Sequence, residues 1–185
     1  MGRYGNFLKV PYVITVHDII RFFDMMDHES FIHQPNTRDT FYLNLDLKGI
    51  KKATKIIAVS QATKNDLVQH VGVSDDQVSV VHEGIDHKLF HPVSERVYGE
   101  PYILFVGSEH PRKNFTAVVK ALALLKMEKR FKGLKLVKIS AAGGREGEFR
   151  KRTMMLIDAL DMRRDVIFTD FVPAANLPAY YSGAQ

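Results

Sequence analysis

The chain alternates short apolar runs with longer stretches in which apolar residues recur every three or four positions. The apolar runs predict buried strands at residues 11–16, 55–59, 78–81, 102–106, 134–139 and 166–168. The periodic stretches predict helices at 38–52, after residue 60, from 115 to about 132, at 148–160 and at 177–181. Strands that alternate with helices predict an α/β fold, with parallel sheets covered by helices on both faces.

Three helices carry more specific predictions. Ser60 directly follows a predicted strand and is expected to cap the next helix. The apolar side of helix 38–52 is predicted to hold Phe41 and Leu45, with Leu47 as a further candidate. The helix that begins near Phe115 carries an apolar stripe at helical spacing, and Gly133 is predicted to end it.

Residues 83–100 are rich in glycine, histidine and proline and show no periodicity. This composition predicts a linker between two lobes. The lobes are therefore expected at residues 1–92 and 98–185.

Ligands of parallel α/β sheets bind at the carboxyl ends of the strands. The residues that follow the predicted strands are therefore candidates for a shared ligand: His17, Ser60, Gly107, Gly143 and Phe171. The Ala141-Ala-Gly-Gly144 stretch would allow close backbone approach, although, taken alone, it is better explained as a plain turn.

Residues 107–114, Gly-Ser-Glu-His-Pro-Arg-Lys-Asn, lie between an apolar strand and an amphipathic helix. Arg112 and Lys113 are expected at the start of that helix, where backbone amides and basic side chains attract phosphate. The alternative is two solvated cations. His17 is expected to hydrogen-bond a ligand or to shuttle a proton, and the alternative is a histidine tethered to its neighbour Asp18.

Composition narrows the chemistry. The 185 residues contain no cysteine, which excludes disulfides, thiolate metal sites and a cysteine nucleophile. The net charge is +5, with basic clusters at 145–152 and 163–164 that suit an anionic ligand, an anionic membrane surface or a solvated helix face. Nucleic-acid binding is disfavoured because Phe149 is the only aromatic residue within the first cluster. Histidines 82, 87 and 91 are unevenly spaced and Asp-x-Asp is absent, so no metal site is predicted.

Taken in order, five segments resemble glycosyltransferase family 4, the retaining enzymes with two Rossmann-like lobes in the GT-B architecture. The segments are Thr15-Val-His-Asp18, Ile57-Ala-Val-Ser60, Val80-Val-His-Glu-Gly-Ile-Asp86, Ile103-Leu-Phe-Val-Gly107 with Pro111-Arg-Lys-Asn114, and Val166-Ile-Phe-Thr-Asp-Phe-Val172. The resemblance implies transfer of a sugar, with retention, from a nucleotide diphosphate sugar to a hydroxyl acceptor. The acceptor would be a glycan or a lipid-linked molecule, and neither metal nor other cofactor is implied.

The resemblance also implies roles for individual residues. The catalytic candidates are His17, which would contact the transferred sugar, and Lys113, which would bind the diphosphate and stabilise charge on the leaving group. The remaining donor-binding candidates are Gly107, Ser108 and Arg112 in the turn, Gly143 and Gly144 beside the nucleotide, and Phe171 and Val172 at the nucleobase. The first lobe would bind the acceptor and the second the donor.

The chain departs from the family in two ways. Ser108 stands where the family often has arginine. The chain also begins at the His-Asp strand and stops before the family's glutamate-containing loop, so an internal portion with two incomplete lobes is expected. That portion alone would be inactive, and a non-catalytic nucleotide- or sugar-phosphate-binding remnant is the alternative. A cytoplasmic location, with peripheral contact to the membrane, is expected.

Overall fold

The computed structural model describes residues 2–23, 25, 36–140 and 147–185. The chain divides into two compact units, Met1–Gly84 and Ile85–Gln185. The division falls inside the segment predicted as a linker, and residues 85–92 group with the second unit. In the described part of the chain, no helix combines the length and apolarity that a membrane span requires.

The first unit is a parallel three-stranded sheet with helices. Its elements are α1 (Gly2–Gly5), β1 (Val13–Val16), α2 (Ile20–Phe23), α3 (Thr37–Lys52), β2 (Lys55–Ala58), α4 (Gln61–Asp66) and β3 (Val78–Val80). The strand order is β1-β2-β3, with Val13 opposite Lys55 and Ile56 opposite Val78. A π-helical turn, Leu67–Val71, continues α4. The predicted strands are confirmed, with ends shifted by one or two residues.

The face that α3 buries differs from the prediction. Leu43 and Ile50 are buried, whereas Phe41 is 60% exposed. At about 100° per residue, positions 43, 47 and 50 form one stripe, and position 41 falls roughly on the opposite side. The prediction for Phe41 is therefore wrong. Residues 20–23, for which no helix is predicted, form α2.

Ser60 caps α4 as predicted. Its hydroxyl oxygen accepts a hydrogen bond from the backbone N–H of Thr63 at 3.0 Å. The two hydroxyls also lie 2.9 Å apart, and the Thr63 hydroxyl donates to the backbone oxygen of His17 at 3.0 Å. This short chain of hydrogen bonds joins the carboxyl ends of β1 and β2.

The second unit is again a parallel three-stranded sheet. Its elements are β4 (Tyr102–Val106), α5 (Phe115–Leu125), β5 (Lys135–Ile139), α6 (Gly147–Ala159), β6 (Val166–Thr169) and α7 (Leu177–Gly183). The strand order is β4-β5-β6, with Tyr102 opposite Lys135 and Leu136 opposite Val166.

Both faces of the second sheet are covered, as predicted. Side chains of a strand alternate between faces, and the structure has one cluster on each. Leu136 and Val166 pack with Phe115, Val119 and Leu122 of α5 and Ile157 of α6. On the other face, Tyr102, Val137 and Ile139 are buried beneath Leu177 and Tyr180 of α7.

The prediction that Gly133 ends the helix after Phe115 is wrong. The α-helix stops at Leu125, and a separate 3₁₀ turn spans Lys129–Phe131. The Lys126 ammonium donates to Asp165 Oδ1 at 2.8 Å and to the backbone oxygen of Leu134 at 3.2 Å. The ion pair holds position 126 against the amino ends of β5 and β6, while positions 126–132 hold few apolar residues that could continue a buried stripe.

Candidate functional site

The turn between β4 and α5 is built by three backbone features. Gly107 has a φ of +155°, a conformation that favours glycine, and its N–H donates to the backbone oxygen of Ile139 at 3.0 Å. Pro111–Lys113 forms a 3₁₀ turn, and Asn114 is left-handed at φ +51°. Since Asn114 interrupts the helical conformation, Arg112 and Lys113 precede α5. The prediction that they lie at the start of the helix is therefore wrong, because the 3₁₀ turn that contains them comes before it.

The two cations of this turn face solvent. Both Arg112 and Lys113 are exposed, and neither side chain makes a hydrogen bond or ion pair to any residue that the structure describes. Ser108 is partly buried, and its hydroxyl accepts a weak hydrogen bond from the N–H of His110 at 3.4 Å. The turn therefore presents two unneutralised positive charges at the carboxyl end of β4.

Beneath the turn lies a buried ionic cluster that sequence reasoning missed. The Glu109 side chain is fully buried, and its Oε1 lies 3.3 Å from Nζ of the fully buried Lys138 on β5. Nε of Arg150 on α6 also donates to this Oε1. The Arg150 guanidinium lies over the Phe168 ring of β6, 4.2 Å from its centroid. The available signal was Lys138 itself, a charge that stands between Val137 and Ile139 in the strand.

The carboxyl ends of the three strands meet at one edge of the second sheet. The N–H of Ser140 donates to the backbone oxygens of Thr169 and Asp170, at 3.1 and 3.0 Å, which ties β5 to the end of β6. Phe171 follows and is 82% exposed, while Val172 is partly buried and packs against the core under α7. The structure thus brings the Gly107 turn and the Phe171–Val172 segment to the same edge. Gly143 and Gly144 lie outside the described residues.

His17 lies in the first unit, directly after β1. Its Nδ1 is 3.0 Å from Oε1 of Glu83, and its side chain is 63% exposed. Asp18, the neighbour proposed as a tether, instead accepts the N–H of Ile20 at 3.1 Å and starts α2. A cavity of about 340 Å³ opens beside His17, with Asp18, Arg21 and Asp46 among its polar lining residues. His17 is therefore available to a ligand, with Glu83 able to orient its ring.

The predicted basic face is partly neutralised within the second unit. Lys151 pairs with Glu148 at 2.8 Å and Arg163 pairs with Asp158, besides the pairing of Arg150 with Glu109. The Glu148 carboxyl has a pKa below its usual value because it accepts a hydrogen bond from Lys151. Among the described residues, no group of three metal-ligating side chains occurs.

Two family descriptions match successive parts of the chain. "Glycosyltransferase Family 4" matches residues 2–89, and "Glycosyl transferases group 1" matches residues 86–185, which is more than half of the chain. A D-inositol 3-phosphate glycosyltransferase from Pseudarthrobacter chlorophenolicus is 25% identical over 186 aligned residues. That alignment covers 95% of this chain but only 42% of the relative.

Solved structures share the fold. Sucrose-phosphate synthase from Thermosynechococcus elongatus superposes with a TM-score of 0.77 at 20% identity, over 98% of this chain and 45% of its own. Anabaena Alr3699/HepE in complex with UDP-glucose superposes with a TM-score of 0.72 at 18% identity, over 99% of this chain and 48% of its own. The described chain thus corresponds to somewhat less than half of these proteins.

Proposed function

Because the chain belongs to the glycosyltransferases, with a Family 4 domain followed by a group 1 domain, we propose that it serves sugar transfer from a nucleotide diphosphate sugar to a hydroxyl acceptor, with retention. The observation that carries this proposal is the Gly107–Asn114 turn with its exposed Arg112 and Lys113. Their charges have no partner among the described residues and lie at the edge of a parallel sheet where ligands bind. A diphosphate would supply the missing negative charge.

Each cation has a distinct part in this proposal. The ammonium of Lys113 binds the diphosphate and stabilises the charge that develops as the sugar leaves. The planar guanidinium of Arg112 can hold two phosphate oxygens at once. Arg112 thereby compensates for the positive charge that is missing at position 108, where this chain has serine. The bound UDP-glucose of Anabaena Alr3699/HepE supports a nucleotide diphosphate sugar as the ligand class.

The remaining contacts of the donor follow from the sheet edge. The exposed ring of Phe171 and the adjoining backbone of Val172 are proposed to meet the nucleobase. Gly143 and Gly144 are proposed to pass close to the nucleotide. His17, beside its cavity in the first unit, is proposed to contact the transferred sugar near the acceptor. No metal or other cofactor is part of the proposal.

Donor binding, rather than complete turnover, is the activity expected of these 185 residues. The alignment covers 42% of the P. chlorophenolicus relative, so more than half of such a protein is not represented here. Transfer to the acceptor is proposed for the whole protein of which these two domains are part. The acceptor is proposed to be a glycan or a lipid-linked hydroxyl.

Calorimetric titration with UDP tests the donor site. Lys113→Ala should weaken binding by about 10- to 150-fold, the equivalent of a charge-assisted hydrogen bond of ~1.5–3 kcal/mol. Lys120→Ala is the matched control, because Lys120 is an exposed lysine on α5 of the same unit. It changes net charge equally and should leave affinity within about twofold. Equal affinities of the Lys113→Ala variant and the unaltered chain would remove Lys113 from the site.

Peripheral contact with the cytoplasmic membrane face is a separate part of the proposal. Arg152 and Met155, which is 71% exposed, lie one turn apart on α6 beside Lys151. Cations beside an exposed apolar side chain suit an anionic lipid surface. Neutralising Lys151 and Arg152 together should reduce flotation with phosphatidylserine-containing vesicles. Unchanged flotation would exclude this face, with Lys120→Ala again as the control.

A further inference from the structure

Glu109 occupies a position that is costly for a carboxylate. It lies within the exposed Gly107–Asn114 turn, yet its side chain is 0% exposed. Oε1 accepts from Arg150 and pairs with Lys138 at 3.3 Å, while Oε2 is buried and has no hydrogen-bond partner among the residues that the structure describes. Burying ions of this kind costs several kcal/mol per ion before their attraction is counted. Fold stability alone would be served equally well by apolar residues of similar size.

The contacts of Glu109 show what the buried carboxylate does for the turn. Lys138 is the fourth residue of the central strand β5, and Arg150 belongs to α6. One carboxylate therefore ties the turn to two rigid elements at once. The proposed phosphate-binding residues Arg112 and Lys113 follow Glu109 within four positions and have no partners among the described residues. Their backbone is thus anchored from below at Glu109.

We propose that Glu109 is a positioning residue for the nucleotide diphosphate: through Lys138 and Arg150 it holds the Gly107–Asn114 turn in the conformation that binds phosphate. This inference rests on the proposed function. Glu109 itself touches no phosphate, since its carboxylate is buried and negative. It acts on affinity through the placement of Lys113 and Arg112, for which an error near 1 Å is costly.

The same sheet offers a matched control. At its opposite end, the Asp165 carboxylate is 15% exposed and pairs with Lys126 at 2.8 Å and Lys135 at 3.0 Å. Glu109→Gln and Asp165→Asn each remove one charge from a carboxylate shared by two cations. Both variants should lower the melting temperature. Only Glu109→Gln should weaken UDP binding, by about tenfold, while Asp165→Asn should stay within about twofold.

A second pair of variants decides the question if Glu109→Gln does not fold. Arg150→Lys keeps a cation facing Glu109, whereas Arg150→Gln removes it, and both lose the guanidinium plane that lies over Phe168. The proposal expects UDP affinity to fall in Arg150→Gln and to be largely restored in Arg150→Lys. Equal affinities of these two variants would overturn it.

The outcomes separate the inference from the function on which it rests. If the unaltered chain binds neither UDP nor inorganic pyrophosphate, the proposed function fails and the positioning role fails with it. If the unaltered chain binds UDP and Lys113→Ala weakens that binding as predicted, but Glu109→Gln and Asp165→Asn weaken it equally, only the positioning role is overturned. Loss confined to Glu109→Gln supports both.

Discussion

The core beneath α7 allows a double-mutant cycle whose size can be worked out from distances. Tyr102 is 1% exposed, and its hydroxyl donates to the backbone oxygen of Tyr180 at 2.7 Å. Burial raises the pKa of Tyr102, so the phenol keeps its proton at all moderate pH values. A Cβ added to Gly183 would lie 2.6 Å from that hydroxyl but 3.4 Å from the nearest ring carbon.

These distances predict strongly coupled effects. Tyr102→Phe leaves the Tyr180 carbonyl without its donor and should cost about 1–2 kcal/mol of unfolding free energy. Gly183→Ala forces the new methyl against the hydroxyl and should cost about 1–3 kcal/mol. In the phenylalanine background the clash is absent, because 3.4 Å is an ordinary carbon contact. The alanine should then cost nearly nothing, and its higher helix propensity would favour α7 by up to ~0.5 kcal/mol.

The double variant should therefore be about 1–3 kcal/mol more stable than the sum of the single changes predicts. Urea denaturation at 25 °C measures this, followed by near-ultraviolet circular dichroism, to which Tyr98 and Tyr180 of this core contribute. Additivity within about 0.5 kcal/mol would refute the packing deduced around Gly183.

Three further predictions concern other parts of the structure. Burial alone would raise the pKa of Asp165, but hydrogen bonds from Lys126 and Lys135 outweigh it and hold the pKa below its ordinary value. The ion pairs thus stabilise the fold at neutral pH and are lost as pH falls below about 4. In urea titrations, Asp165→Asn should lower the free energy of unfolding by ~1–3 kcal/mol at pH 7 and by much less at pH 2.5. An equal loss of unfolding free energy at both pH values would contradict this. Gly107→Ala should lower the unfolding free energy by about 1–2 kcal/mol, measured by thermal melting, and should weaken UDP binding. The φ of +155° is strained for any residue with a Cβ, although the nearest atom to an added Cβ is 3.6 Å away. An unchanged melting temperature would argue against that conformation. Ser60→Ala should cost ~1 kcal/mol in the first unit, while Ser60→Asp restores the cap, and equal losses in both variants would count against capping.

The sequence predicts the sheets well because the strands are buried and short. Runs of apolar and β-branched residues such as Val166–Thr169 have few alternatives to a buried strand. Helix faces are harder to predict. Phe41 is predicted to be buried because it is aromatic, but the period of the helix places it towards solvent. The end of α5 was also predicted wrongly. The ion pair that follows this helix, between Lys126 and Asp165, joins residues 39 positions apart, and a local sequence pattern does not show such a contact.

The sequence likewise predicts some parts of the candidate site and misses others. Gly107 and the cations at 112 and 113 were found because a strand, a glycine and basic residues are consecutive in sequence. The left-handed Asn114, which moves those cations out of α5, leaves only a weak sequence signal. The Glu109 cluster depends on β5 and α6 coming together with the turn, and no local pattern encodes that contact.

The second sheet carries one carboxylate shared by two cations at each end, and the difference between them bears on function. Asp165, at the amino ends of the strands, keeps partial contact with water, as do both of its lysines. Glu109 and Lys138, at the carboxyl ends, have none. Full burial of an ion pair is a poor route to stability, because desolvation offsets most of the attraction. Full burial of an ion pair does, however, hold the backbone in place, because separating a buried charge from its partners is strongly destabilising. The costly arrangement lies at the end of the sheet where Arg112 and Lys113 must be held in place, and the inexpensive one lies at the end where nothing is proposed to bind.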